Sequence, residues 1–221
     1  MTLLIKFPTR GRRNKFLKVF NTYQKKLSGN NSVKFLVSLD VDDTEMNSDL
    51  VKDVLSQYTN TLVIYGDSEN KIHAVNRDIN QIDVWDVVLL ASDDMVPQID
   101  GYDEVILNKM KDCYPDTDGV LFFNDGFQGN KLNTLCILGK KYYDRFGYIY
   151  YPDYKSTWCD NEFMDVANLL NKQTYFEEVI IKHEHPDWGY GAIDDIHKLN
   201  HENLNYDRTL YITRKENNFY L

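Results

Sequence analysis

The 221-residue chain is 43% hydrophobic and 27% charged, the balance of a soluble globular protein with room for one large domain or two small ones. Its net charge of −9 argues against nonspecific nucleic-acid binding. No apolar run approaches the roughly 20 residues of a membrane-crossing helix, and LLIKF near the start is too short for a signal-peptide core, so a cytoplasmic protein with no membrane span is expected.

Leu3–Phe7 reads as a short apolar strand, followed by the loop PTRGRRN. Phe16, Phe20, Tyr23 and Leu27 recur at helical spacing and predict an amphipathic helix ended by Ser28-Gly29. VKFLVSL (33–39) alternates as a second strand, and Ser48 or Asp49 caps a helix carrying Leu50, Val51, Val54 and Leu55. TLVIY (61–65) and DVVLLA (86–91) are the third and fourth strands. Four nearly all-apolar strands with helix-length connections predict a parallel sheet covered on both faces.

The second half is less regular. A helix around Val105–Met110 precedes two strand-like stretches, GVLFF and TLCIL. A tyrosine-rich stretch follows, with Tyr142, Tyr143, Tyr148, Tyr150, Tyr151 and Tyr154. A helix after Trp158 puts Phe163, Val166, Ala167 and Leu170 on one face, YFEEVIIKH (175–183) reads as a last strand, and about 201–215 reads as a helix. Nothing resembles a linker, so a single α/β domain is expected. Cys113, Cys136 and Cys159 form no C-x-x-C pair, which indicates neither a disulfide framework nor a zinc ribbon and leaves buried thiols.

Charge is unevenly spread: residues 1–39 hold nine Lys/Arg and no acid, and the remainder holds 16 Lys/Arg against all 34 Asp/Glu. That basic segment is either a local anion site or a solvated helix face. Ligands of an open parallel sheet bind beyond the carboxyl ends of its strands. Here the first strand leads to Pro8-Thr9-Arg10-Gly11-Arg12-Arg13, the second to Asp40, Asp42 and Asp43, and the fourth to Ser92, Asp93 and Asp94. An Asp-Asp pair can simply open a solvated turn. Beside two other charged strand ends, it suits a nucleoside diphosphate with a divalent cation. Carboxylates accept a base N–H or bind ribose hydroxyls, arginine binds phosphate oxygens bidentately, and Mg²⁺ or Mn²⁺ stabilises a leaving pyrophosphate through a few protein oxygens.

These stretches resemble the nucleotide-sugar-dependent glycosyltransferases of the GT-A fold. FPTRGR is similar to the loop that contacts the nucleotide, and SLDVDD to the acidic strand end that meets the base. NKIHAVNR, with Lys71, Asn76 and Arg77, stands where related enzymes face the diphosphate or sugar. Ser92-Asp93-Asp94 resembles the DXD motif with Ser for the first Asp, which makes Asp94 the metal ligand and puts Asp93 nearer the ribose or sugar. TWCDNEF puts Asp160 and Glu162 at a helix start, where the family places its catalytic base; capping by acids is the compatible bland reading. IKHEHPDWG puts His183 and His185 two apart, and some members complete their metal site with a histidine from this region, which favours Mn²⁺.

The resemblance implies a Rossmann-like mixed, mainly parallel sheet flanked by helices. About 1–97 would bind the donor, most simply a UDP-sugar. About 98–221 would bind a glycan or other hydroxyl acceptor near Trp158 and Trp188, with Asp160 or Glu162 as base in an inverting transfer. Two alternatives stand beside it. FLVSLDVDDT also resembles the nucleophile motif of haloacid-dehalogenase-type phosphatases, with Asp40 attacking phosphorus, but a strand, a basic loop and a helix precede it. A non-catalytic sugar- or nucleotide-binding module is the other, with the tyrosines as a carbohydrate platform.

Overall fold

The computed structural model describes residues 1–184 and 203–221. Its spine is β1 (Thr2–Pro8), whose alternation sends Leu3, Ile5 and Phe7 to one apolar layer and Leu4 to the other. On the first face, α1 (Arg13–Lys25) lays Phe16, Val19, Phe20 and Tyr23 against it, with Phe7 edge-on to Phe16 at 5.0 Å and to Tyr23 at 5.9 Å. Burying each such ring contributes about 1.5–3 kcal/mol, which is why the basic residues between them are left on the outer side of the helix. The helix ends at Lys25, before the expected Ser28-Gly29, because Ser28 instead donates its backbone N–H and hydroxyl to the buried Asp103 of α4 (Tyr102–Cys113).

β2 (Ser32–Asp40), β3 (Thr61–Gly66) and β4 (Val87–Leu90) complete the expected parallel set. Among the described residues the main sheet has seven strands in the order β3-β2-β1-β4-β7-β6-β8, where β6 is Val120–Phe123, β7 is Ile137–Gly139 and β8 is Gln173–Phe176. Only β7 runs against its neighbours, so the sheet is mixed and mainly parallel, and it crosses both halves of the chain. Between β2 and β3, α2 (Asp49–Ser56) begins after Ser48, whose side chain makes no capping bond. The second face is covered by α3 (Lys71–Asn76), the tyrosine-rich loop after α5 (Lys140–Asp144), α6 (Cys159–Leu169) and α7 (Leu204–Glu216).

Several expectations are corrected. YFEEVIIKH is not one strand. Its front belongs to β8, and its end forms β9 (Ile181–His183), which pairs antiparallel with a short β5 (Met95–Pro97) in a separate two-stranded sheet. The two acids Glu177 and Glu178 sit at the break, where the chain leaves the main sheet. TLCIL contributes only Ile137 and Leu138 to β7. NKIHAVNR is the short helix α3, capped by Asn70, whose side-chain oxygen accepts from the Ile72 and His73 N–H groups. Cys136 and Cys159 are buried, but Cys113 is exposed. Among the described residues no helix is long and apolar enough to cross a membrane. His185 and Trp188 lie outside the described residues.

Candidate active site

The carboxyl ends of β1, β2 and β4 meet because those strands are adjacent and in register. The oppositely charged loops are paired there. Arg10 Nη1 donates to Asp40 Oδ2 at 2.9 Å and to Asp42 Oδ1 at 2.5 Å, and Nη2 reaches Asp42 Oδ2 at 2.8 Å. The hydrogen bonds of Asp42 and Asp40 hold the Arg10 guanidinium well above its usual range, and the same contact lowers the Asp42 carboxyl. Arg12 Nη1 and Lys15 Nζ approach Asp93 Oδ1 at 3.2 and 3.4 Å. The basic segment therefore divides: Arg10, Arg12 and Lys15 belong to the strand ends, and Lys18 lies on a solvated helix face. Thr9 Oγ1 is buried there with no hydrogen-bond partner among the described residues.

Arg77 is tied into the end of β2. Its Nη2 donates to the Leu39 carbonyl at 2.8 Å, Nη1 to Asp78 at 2.8 Å and Nε to the Ser68 hydroxyl at 3.0 Å, with Asp40 Oδ1 at 3.5 Å. A Cβ on Gly66 would come within 2.6 Å of Arg77 Nη1, so glycine at the end of β3 makes room for the guanidinium. Beneath it, the fully buried Lys6 bonds Ser38 and donates to the Arg77 carbonyl at 2.9 Å. Burial pushes this ammonium down to about 7, against the pull of Asp78 and with help from Arg77. Asn76 is likewise engaged: its amide accepts from the Ile149 and Tyr150 N–H groups at 3.0 and 3.2 Å and donates to the Tyr150 carbonyl at 2.7 Å. Arg77 and Asn76 thus buttress the β2 end and the tyrosine loop.

Asp93 and Asp94 are both buried, and their surroundings drive them apart. Burial raises the Asp93 carboxyl, Arg12 and Lys15 oppose it, and the Asp94 charge adds to the rise. Burial would also raise Asp94, but contacts with His183, Ser92 and Lys15 outweigh it and hold that carboxyl far below the usual range. The β5–β9 pairing sets Met95 opposite His183 and so brings His183 Nε2 to 3.7 Å from Asp94 Oδ1. Glu184 N–H donates to the Asp94 carbonyl at 2.7 Å and locks the register. Two neighbouring ligands on one divalent ion stand about 3–3.5 Å apart, so this oxygen–nitrogen pair fits a shared ion with little adjustment. Among the described residues no third metal-type side chain joins them. An open ion of this kind is completed by phosphate and water.

Behind His183 stands a residue the sequence reading missed. Asp125, fully buried after β6, has Oδ2 3.9 Å from His183 Nδ1, and its carbonyl accepts the His183 N–H at 3.0 Å. Thr134 donates to Oδ2 at 2.7 Å, and the Phe127 and Gln128 N–H groups donate to Oδ1 at 2.8 and 2.6 Å. The only signal in the sequence was Asn-Asp-Gly after an apolar run, which reads as an ordinary turn.

Asp160 sits in the first turn of α6. Burial raises its carboxyl, while Lys71, two backbone N–H groups and His183 pull it down, and the net shift is upward. The charges of Lys71 on α3 and His183 on β9 are thus both felt at Asp160. Entry to α6 is strained: Trp158 has φ 61° in the left-handed region. Asp207 of α7, fully buried, compensates by accepting from the Lys155, Ser156 and Thr157 N–H groups at 2.8–2.9 Å, and Trp158 packs on Tyr211 at 5.1 Å. Nothing local in the sequence marks Asp207 for this task.

Glu162 points elsewhere. It is 4% exposed, bonded twice by Arg214 Nε at 2.8 and 3.1 Å, once by Arg214 Nη2 at 2.9 Å, and by the Tyr154 hydroxyl at 2.9 Å. Neighbours two apart on a helix do not share a face, which separates it from Asp160.

No protein-family model and no curated protein matches the chain. Solved structures do. A mannosyltransferase from Pyrobaculum calidifontis, in complex with GDP-Man and Mn²⁺, superposes with TM-score 0.68 at 11% identity, over 85% of this chain and 58% of that one. S. aureus TarS in complex with UDP-GlcNAc gives 0.64 at 15%, over 87% and 62%. A 4-diphosphocytidyl-2C-methyl-D-erythritol synthase from Anaerococcus prevotii gives 0.54 at 13%, over 91% and 95%. The chain thus spans less than two-thirds of the first two structures. The sheet order, the crossing of charged loops at its carboxyl edge and these superpositions together establish that the chain has the GT-A fold of nucleotide-sugar-dependent glycosyltransferases.

Proposed function

We propose that the protein transfers a sugar from a nucleoside-diphosphate sugar, a UDP-sugar first among them, to an acceptor hydroxyl with inversion and with the help of Mn²⁺ (or Mg²⁺). The observation that supports this is Asp160, a carboxylate raised by burial and pulled down by the charges of Lys71 and of His183, which itself stands 3.7 Å from Asp94. Because the same fold also serves a cytidyl-transferring synthase, the choice of reaction rests on that carboxylate.

In this reading Pro8 and Thr9 line the nucleotide, with the unpartnered Thr9 hydroxyl free to bond it. Asp40 and Asp42 receive the base and ribose once Arg10 swings from them to phosphate, and Arg12 and Lys15 share the diphosphate with Ser92 and Asp93. Asp94 and His183 would hold the ion, which neutralises charge on the departing diphosphate. Asp160 takes the acceptor proton as the hydroxyl oxygen attacks the anomeric carbon and the bond to the diphosphate oxygen breaks. The Lys71 charge opposes the rise that burial imposes on Asp160. Trp158 offers a ring to the acceptor, and Trp188 remains a candidate from the sequence. Glu162, neutralised by Arg214, is left with a structural task. The phosphatase alternative loses support because Asp40, its nucleophile, is also held by Arg77 Nη2 at 3.5 Å at the end of β2.

Thermal denaturation with UDP, GDP and CDP, each with and without Mn²⁺, tests the proposal. One nucleotide at about a hundredfold above its Kd should raise Tm by roughly 5–10 °C, and only with the metal. Indifference to all three, joined to hydrolysis of a generic phosphate ester, would return the phosphatase. Asp125→Asn should weaken Mn²⁺ binding to the UDP complex by about 10–100-fold, read from the EPR signal of free Mn²⁺, because the residue behind a ligating imidazole sets its orientation. UDP binding without metal should not change. Equal Mn²⁺ affinity in the variant would remove Asp125 from the site.

A further inference from the structure

A cleft of about 620 Å³ shares no residue with the strand-end site. It opens between the tyrosine loop and the C-terminal end of α7, with Phe146, Tyr148, Tyr151, Arg214, Phe219 and Tyr220 on its walls and Asp153 at its rim. Its volume is in the range of small-molecule sites.

Arg214 is its fixed point. Nε and Nη2 are spent on Glu162, and Nη2 also donates to the Phe219 carbonyl at 3.2 Å. Nη1 has no hydrogen-bond partner among the described residues. The guanidinium carbon stacks 3.3 Å from the centre of the Tyr151 ring and lies 5.6 Å from that of Tyr220. A buried ion pair is a poor source of stability, since desolvation offsets its attraction, but it holds a planar donor in one orientation. The backbone is strained to build the opposite wall. Asn218, Phe219 and Tyr220 have φ of 49°, 54° and 59°, three successive non-glycine residues in the left-handed region. This turn buries Phe219 and leaves Tyr220 67% exposed beside the cleft.

We propose that this cleft binds a pyranose ring of the acceptor glycan, remote from the reacting hydroxyl. A sugar ring presents C–H faces that pack on aromatic rings and hydroxyls that need fixed donors and acceptors, here Arg214 Nη1 and the Asp153 carboxylate. An anionic ligand fits less well, because Glu162 neutralises Arg214 and Asp153 adds a negative charge. A purely apolar ligand would leave Nη1 covered and without an acceptor. The same helix carries both functions: α6 begins at the proposed base and, two residues on, holds Arg214 through Glu162. Assigning the ring to the acceptor rests on the transferase reading; the binding itself does not.

The test is NMR titration of the ¹⁵N-labelled full chain with cellotetraose, chitotetraose, maltotetraose and mannotetraose, followed by UDP with Mn²⁺. At least one tetrasaccharide should shift the amides of Tyr148, Tyr151 and Tyr220 saturably. Tyr220→Ala, at a position 67% exposed, should weaken that binding about tenfold, and Asp153→Asn should weaken it too. Silence at these amides with all four sugars, or shifts that survive Tyr220→Ala unchanged, overturns the cleft. A sugar response without any nucleotide response supports the cleft and removes the transferase reading; a nucleotide response alone does the reverse.

Discussion

Asp160→Asn should lower the rate of sugar transfer by about 10²–10⁴-fold while leaving nucleotide-and-Mn²⁺ stabilisation intact, the range that loss of a positioned general base produces. The amide is nearly isosteric and keeps an oxygen for the Asn161 N–H, which donates to Asp160 at 2.9 Å, so α6 should start as before. What it loses is the ability to take a proton. The pH dependence sharpens the test. Burial raises the Asp160 carboxyl above its ordinary value, and the base works only when ionised. Transfer should therefore be complete above that raised pKa and fall as pH drops through it, in a window higher than an exposed aspartate would give. In the Asn variant this acid limb should vanish from kcat/KM. A variant that keeps both its rate and its acid limb would take the base away from Asp160.

If Asp94 holds the ion as proposed, Asp94→Asn should abolish the metal-dependent part of UDP stabilisation and lower transfer by about 10²–10³-fold, because several kcal/mol of leaving-group stabilisation would be lost with the ion. The depressed pKa of Asp94 keeps it charged throughout the working pH range, so no accessible acid limb reports on it and substitution is the direct probe. For stability the sign is that of any lowered carboxyl: the contribution is present above the unfolded value and lost as pH falls toward the folded one. The metal-free variant should therefore fold, with a loss of about 1–3 kcal/mol from the contact with His183 and the Ser92 hydroxyl. Full Mn²⁺-dependent UDP binding by a folded Asp94→Asn protein would move the ion elsewhere.

The N-terminal half was legible because its signals are local. Leu3–Phe7 and Val33–Leu39 are apolar enough to be strands buried on both sides, Thr61–Tyr65 is apolar enough to form the more exposed edge strand, and Phe16, Phe20 and Tyr23 repeat at helical spacing. The carboxyl-edge rule then carried Arg10, Arg12, Asp40, Asp42, Asp93 and Asp94 to one edge, where Arg10 pairs with Asp40 and Asp42 and Arg12 with Asp93. The second half was harder. Reading 175–183 as one strand missed its division between two sheets, because a short run such as Ile181–His183 takes its state from a partner, Met95–Pro97, some 85 residues away in sequence.

By itself the sequence determined which segments must be buried, where charge must gather and which acids open helices, since these follow from the period and polarity of neighbouring residues. Only the tertiary structure decided what those side chains do. Asp160 and Glu162 look alike in TWCDNEF, yet one is under the charges of Lys71 and His183 and the other is buried against Arg214, 52 residues further on. His183 became a companion of Asp94, with Asp125 behind it, through a strand pairing that no local pattern announces. Solvent exposure and the identity of a distant partner set both the pKa of a carboxyl and its freedom to act, and neither is encoded within the few residues on either side of it.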